Sequence, residues 1–221
     1  VTVTLTGITK PMVPGVDTAA QLLAYCARVS STANQMNHET GPKLLRFLVE
    51  RKEWSPLEMV SLTMEIETTR DIARQILRHR SFSFQEFSQR YAVVDDCPVF
   101  REARLQDHKD RQNSIETDNE ELAGGWEDMQ ARVNIAADDA YSWALENGIA
   151  KEVARAVLPE GMTLSRLYMA GTLRSWMHYC ALRCERKAQK EHREIAFDVA
   201  DILREQFPDI ADMIPNREDA N

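Results

Sequence analysis

The stretch RHRSFSFQEFSQRY, residues 78 to 91, crowds Arg78, His79, Arg80 and Arg90 among three phenylalanines, three serines and Glu86. Planar guanidinium forks suit phosphate oxygens. Ser81, Ser83, Ser88, Gln85 and Gln89 add neutral hydrogen-bonding groups. Glu86 can accept from a sugar hydroxyl or a base N–H. Phe82, Phe84 and Phe87 can pack the loop or line an aromatic ligand. Together these groups read as a cradle for a phosphorylated, ring-bearing molecule. Arg78, His79 and Arg80 taken alone have a plainer reading as a solvated helix end, because cations suit the negative end of the macrodipole. No glycine-rich loop accompanies the segment, so a P-loop or Rossmann phosphate grip is not supported.

The elements around the segment follow from periodicity. VTVTLTG alternates and reads as a strand ended by Gly7. Asp17 is the expected cap of a helix running to about Val29, with Leu22, Leu23 and Cys26 inward. Pro42 opens a second helix with Leu44, Leu45 and Leu48 inward. In MVSLTMEIE, Val60, Leu62, Met64 and Ile66 alternate with polar residues, a strand with one buried face. Thr69 then caps DIARQILRHR, on which Gln75, Arg78 and His79 share a face at i, i+3 and i+4. RYAVV is expected to return as a strand, and residues 101 to 120 to form a loop or exposed helix. A long helix is predicted from about Leu122 to Glu146 with Trp126, Met129, Val133 and Ala140 inward, stopped by Asn147-Gly148. A shorter helix reaches Leu158. SRLYMAGT reads as a strand leading into a capping Thr172, and helices follow over Leu173–Cys184 and Ala188–Glu205. PNREDAN is expected to fray. This is an α+β pattern in a single domain, 1–221, with no composition shift to mark a boundary.

The chain has 221 residues, 27 Lys+Arg against 35 Asp+Glu, and a net charge of −8. That balance argues against general nucleic-acid binding while leaving room for a local basic pocket. An RNA-binding module built on the basic aromatic loop would want a second such stripe, which is not seen. No apolar run approaches the roughly 20 residues that span a bilayer. No signal peptide is read, and a reducing cytoplasm is the expected compartment. Cys26, Cys97, Cys180 and Cys184 form no C-x-x-C pair. His178, Cys180 and Cys184 lack a second ligand pair, so no metal site is expected.

Arg78-His79-Arg80, seven intervening residues and Ser88 form an R-H-R-x7-S pattern that resembles the flavin-dependent thymidylate synthases, the ThyX family. Ser81-Phe82-Ser83, Glu86 and Arg90-Tyr91 extend the resemblance. So do Trp54-Ser55-Pro56-Leu57-Glu58, Ala154-Arg155-Ala156-Val157-Leu158-Pro159, Gly171–Trp176, Ala181-Leu182-Arg183 and Ala188-Gln189. It covers about residues 50 to 200. Met59 stands where many members carry His, Gln85 where many carry Asn, and Thr172 and His178 where the commoner version has Asn.

The resemblance implies a ThyX-like fold, a central antiparallel sheet packed with helices, and a homotetramer with shared active sites. It implies methylation of dUMP at C5 to give dTMP, with carbon from methylenetetrahydrofolate and hydride from FAD reduced by NADPH. Gln75, Arg78, Glu86, Phe87, Ser88, Gln89, Arg90, Arg155 and Arg183 are the implied dUMP contacts. Ser55, Arg78, His79, Arg80, Glu86, Thr172, Arg174 and His178 are the implied FAD contacts, and Arg183 is the implied catalytic residue. A flavin- or nucleotide-binding protein that has lost catalysis is the rival reading; the presence of Arg183, Arg90 and Ser88 counts against it.

Overall fold

The structure is a computed structural model that describes residues 1–95 and 97–218. The strands are β1 (Thr2–Ile8), β2 (Ser61–Thr69), β3 (Ser83–Glu86), β4 (Arg104–Gln106), β5 (Ser114–Glu116) and β6 (Leu164–Thr172). The helices are α1 (Ala19–Ala27), α2 (Gly41–Glu50), α3 (Arg70–Ile76), α4 (Glu120–Glu146), α5 (Lys151–Ala154), α6 (Leu173–Arg183) and α7 (Lys190–Gln206). A four-stranded sheet has the order β1-β2-β6-β3, so the α+β expectation holds. The chain divides into two compact units. The first holds Val1, Glu67–Arg78 and Gln85–Leu167; the second holds Thr2–Ile66, His79–Phe84 and the chain from Tyr168 onward.

In the second unit, Leu62, Met64 and Ile66 on β2 are fully buried. Each such side chain contributes about 1.5–3 kcal/mol relative to exposure. β1 runs antiparallel to β2, with Thr6 Oγ1 donating to the Thr63 carbonyl and the Thr9 N–H to that of Ser61. α1 is capped by Thr18, not Asp17. Thr18 Oγ1 accepts from the Gln21 N–H, and the Gln21 side chain accepts from the Thr18 N–H, a reciprocal capping box that Asp17 is one residue too early to make. α6 begins as expected, with the Thr172 hydroxyl accepting from the Ser175 N–H at 3.3 Å. Trp176 is wholly buried and donates its Nε1–H to the Leu62 carbonyl. α7 buries a long apolar face, including Ile195, Val199 and Leu203.

In the first unit, α4 starts at an Asn119 cap and ends at Gly148, whose φ of 74° suits a residue without a Cβ. Its packed face is Gln130, Ala137, Tyr141 and Ala144. The expected inward residues Trp126, Met129 and Val133 are instead 44%, 52% and 53% exposed. With Leu122 and Trp143, also exposed, and with Ala136 and Ala140 between Val133 and Trp143, they lie at alternating four- and three-residue steps, the spacing of a helix–helix seam. Residues 101 to 120 contain a β-hairpin rather than a loop or helix, with Leu105 opposite Ile115.

Two further expectations fail. α3 ends at Ile76, before Arg78 and His79, so these do not share a regular helix face with Gln75. The strand near the motif is β3, Ser83–Glu86; RYAVV forms a turn instead, with the N–H groups of Tyr91 and Ala92 both donating to the Ser88 carbonyl at 3.0 Å.

Candidate active site

The first unit contains a cavity of about 430 Å³. α3 turns Arg70 and Arg74 toward it, four residues apart and so on one helical face. Arg155, which opens the 3-10 turn after α5, adds a third guanidinium, and Glu152 and Glu160 add carboxylates. Gln89 completes the lining. It is 3% exposed, and its Nε2 has no hydrogen-bond partner among the described residues. A buried amide donor without a partner costs about 1–3 kcal/mol, so this atom is suited to a ligand acceptor.

Arg70, Arg74 and Arg90 of this unit each lie against a carboxylate. Arg74 pairs with Glu160, and Arg90 Nη2 lies 3.2 Å from Glu152. Glu86 accepts from Ser165 Oγ at 2.9 Å and lies 3.6 Å from Arg70 Nη1. The Phe87 N–H donates to the Arg166 carbonyl, which fixes the backbone leading to Ser88 and Gln89. Gln75 is half-buried and the side chain of Arg78 is exposed.

The second unit holds the rest. Arg174 and His178, i and i+4 on α6, line a cavity of about 650 Å³. Ser81, Ser175 and Glu58 add polar groups; Val49, Trp54, Met177 and Ala181 supply an apolar side, with the segment Met213–Pro215. Arg174 pairs with Glu58. Ser175 Oγ donates to the Ser81 carbonyl at 3.2 Å, which ties the start of α6 to the motif. Ser55 and Arg80 are exposed, and the Thr172 hydroxyl is engaged as the α6 cap.

At the other end of α6, Arg183 Nε donates to His79 Nε2 at 2.9 Å. His79 must therefore be neutral, with its proton on Nδ1. Burial, reinforced by the Arg183 charge and then by His178, lowers its pKa to about 4. The His79 ring meets the Tyr179 ring edge-on at 5.0 Å, and Tyr179 Oη lies 3.1 Å from the Nε2 of His192. His192 is fully buried, and burial, then the nearby Arg183 and the His79 imidazole, lower its pKa to about 3.

These shifts set a pH response. Both histidines stay neutral in the native state, whereas the unfolded chain takes up protons below the ordinary value of 6.5. Stability from this source is therefore complete above pH 6.5 and is lost as pH falls toward about 4 for His79 and about 3 for His192. Melting temperatures across that window are expected to fall with acid, and to fall less steeply in His192→Gln than in the wild type. Equal slopes would remove His192 from the account.

Sequence reasoning missed Arg70, Arg74, Glu152 and Glu160 in one cavity, and Trp54, Glu58, Ser175 and Met213–Pro215 in the other; Ser81, read as a hydrogen-bonding group of the motif, does line the second. Arg74 adjoins Gln75 and carried a usable signal. The carboxylates carried none, since charged residues on short turns are common.

Comparison with known proteins bears on what these cavities serve. Residues 13–209 match the family model described as "Thymidylate synthase complementing protein". A Synechocystis sp. flavin-dependent thymidylate synthase is 50% identical over 190 residues, covering 86% of each chain. A protein of Paramecium bursaria Chlorella virus 1 named "Probable flavin-dependent thymidylate synthase" is 47% identical over 207 residues, covering 94% of this chain and 95% of that one. Among solved structures, the UMP/dUMP methylase PolB from Streptomyces cacaoi, bound with 5-Br dUMP, superposes with a TM-score of 0.77 at 26% identity. That match covers 96% of this chain and 93% of the other. Sequence and backbone agree along nearly the whole chain, and the protein belongs to the flavin-dependent thymidylate synthase family.

Proposed function

We propose that this protein is a thymidylate synthase that methylates dUMP at C5, taking the carbon from methylenetetrahydrofolate and the hydride from FAD reduced by NADPH. The observation that carries the reading is the arginine-lined cavity at Gln89, whose Nε2 has no partner among the described residues, in a chain of this family. Its donors match a nucleotide phosphate. Arg90, Arg155 and the Ser88-Gln89 backbone hold that phosphate, and Gln75, Arg78, Glu86 and Phe87 contact the rest of the nucleotide.

The cavity beside α6 fits FAD. Its volume lies within the range of about 300–1,000 Å³ common to cofactor sites. It offers Arg174, His178 and serine hydroxyls on one side and apolar groups on another, as a ligand with flat rings and a diphosphate requires. Ser55, Arg78, His79, Arg80, Glu86 and Thr172 complete the proposed contacts. FAD, when bound, supplies the hydride.

Arg183 is the proposed catalytic residue. Its guanidinium stabilises negative charge developing at N3 and O4 of the uracil, which makes C5 a carbon nucleophile without a covalent thiol. His79 holds Nε of that guanidinium and so leaves the terminal nitrogens to the base. Ser88 is not needed as a nucleophile, because FAD carries the hydride and Arg183 activates the uracil.

We further propose that the protein acts as a single catalytic domain, works in the cytoplasm and assembles as a homotetramer with shared sites. The exposed stripe on α4 is the surface for self-association. Val133→Asp, at its centre, is expected to lower the mass measured by sedimentation velocity; an unchanged mass would move the interface elsewhere.

The test of the activity uses FAD, NADPH, methylenetetrahydrofolate and dUMP tritiated at C5. FAD-dependent tritium release with dTMP formation is the expected result. FAD binding without dTMP would leave the rival flavoprotein reading, and neither binding nor turnover would end both.

A further inference from the structure

One wall of the cavity beside α6 comes from none of the motif segments. Met213 ends the 3-10 turn Pro208–Met213 beyond α7, and Ile214 and Pro215 follow it. Arginines tie this segment down at both ends. Arg46 on α2 grips the Asp212 carboxylate with two bonds of 2.6 and 2.8 Å and donates to the Asp209 carbonyl. Arg204 donates to the Pro215 carbonyl at 2.7 Å. Two residues further on, Arg217 pairs with Glu194 and Asp198 on α7, and its Nε lies 3.8 Å from Asp201 Oδ2. Its guanidinium also sits over the Phe197 ring, 5.1 Å from the centroid.

The row Glu194, Asp198 and Asp201 occupies one face of α7 at i, i+4 and i+7, an arrangement that repels itself unless a cation covers it. Arg217 covers it. Burial raises the pKa of Asp198, with Arg217 opposing that shift. The attraction pulls the chain down onto α7 just past Pro215. Ile214 is 4% exposed. The wall is therefore set by arginine clamps on either side of it and not by its own packing alone.

We propose that Met213–Pro215 forms a binding wall for the apolar ring faces of the flavin dinucleotide, and that Arg217 is the positioning residue that latches the wall to α7. The inference rests on the FAD reading of this cavity. The wall's chemistry suits that ligand: a thioether and two aliphatic side chains contact an aromatic face with little loss of fit. Arg174 and His178 stand on α6 in the same cavity as donors for the diphosphate.

The experiment measures the Kd for FAD by quenching of flavin fluorescence on the full chain, with thermal melting of the FAD-free protein beside it. Arg217→Ala is expected to weaken FAD by about tenfold or more, and Arg217→Lys to recover part of the loss. Raising NaCl from about 0.05 to 0.5 M is expected to weaken the wild type more than Arg217→Ala, because the latch is screened only where it exists. Met213→Ala, which leaves the latch intact, is expected to weaken FAD several-fold with the melting point unchanged. It decides the matter if Arg217→Ala fails to fold. Wild-type affinity in both Arg217→Ala and Met213→Ala would overturn the proposal while leaving the cofactor reading standing. A wild-type protein that does not bind FAD would overturn the cofactor reading, and the proposal with it.

Discussion

Arg183→Ala is expected to reduce dTMP formation by about 10²–10³-fold, the usual cost of removing one donor aimed at developing charge. The loss should fall on kcat and kcat/KM together, since the proposed contact strengthens as charge builds on the uracil. The geometry makes the guanidinium a fixed group. Its Nε is committed to His79, and His79 is kept neutral by burial and by the Arg183 charge itself. Arg183→Lys should not restore the rate, because an ammonium cannot bond His79 and still present a planar fork to N3 and O4. Arg183 is half-buried at the end of α6, so the variant should melt near the wild type. A variant with near wild-type turnover would remove Arg183 from the chemistry. A variant with normal kcat and raised KM would reduce it to a binding residue.

Gly171→Ala is the substitution expected to cost most in stability. A Cβ at Gly171 would lie 2.4 and 2.6 Å from two ring atoms of Phe82. Phe82 cannot retreat freely, because it packs edge-on against Trp176 at 4.7 Å and contacts Tyr179, both fully buried. Overpacking of this kind costs about 1–3 kcal/mol. For a chain of this length about 3 kcal/mol corresponds to a fall in Tm of roughly 10 °C. Calorimetry would measure it. The pair Gly171→Ala/Phe82→Ala should lie closer to Phe82→Ala alone than additivity allows, since the clash is removed with the ring. An unshifted melt for Gly171→Ala would mean that Phe82 has space elsewhere. Gly171 thus seats the motif's first phenylalanine on the core.

How much of this was legible in the sequence depended on whether a segment's own residues decided its structure. β2 and β6 alternate cleanly and were readable, as was the Thr172 cap on α6. α3 was overextended because Leu77 to Arg80 carry no helix breaker. The chain leaves the helix there, and a tight turn forms in which the Phe82 N–H donates to the His79 carbonyl. On α4 the heptad of apolar residues is plain in the sequence, but the side it faces is not. Periodicity says that a face will be covered, not by what, and small residues at 137 and 144 made the packed face. The candidate site divides the same way. Arg78, Arg80, Arg90 and Gln89 stand out by type and spacing, whereas Arg70 and Arg74 do not. Contacts such as Arg183 with His79, far apart in the chain, have no local signature. Neither do the glutamates that accompany the arginines.

Those glutamates bear on inhibitor chemistry. Arg74, Arg90 and Arg174 each hold a carboxylate, from Glu160, Glu152 and Glu58 respectively. The pairs involve exposed side chains and are therefore weak, of the order of 0–1 kcal/mol each. A dianionic group can displace them at small cost. An uncharged surrogate for the phosphate cannot, because it must compete with a carboxylate already in place. Compounds aimed at these arginines will need to keep a formal negative charge, and cell entry will have to be solved by masking that charge until it has crossed the membrane.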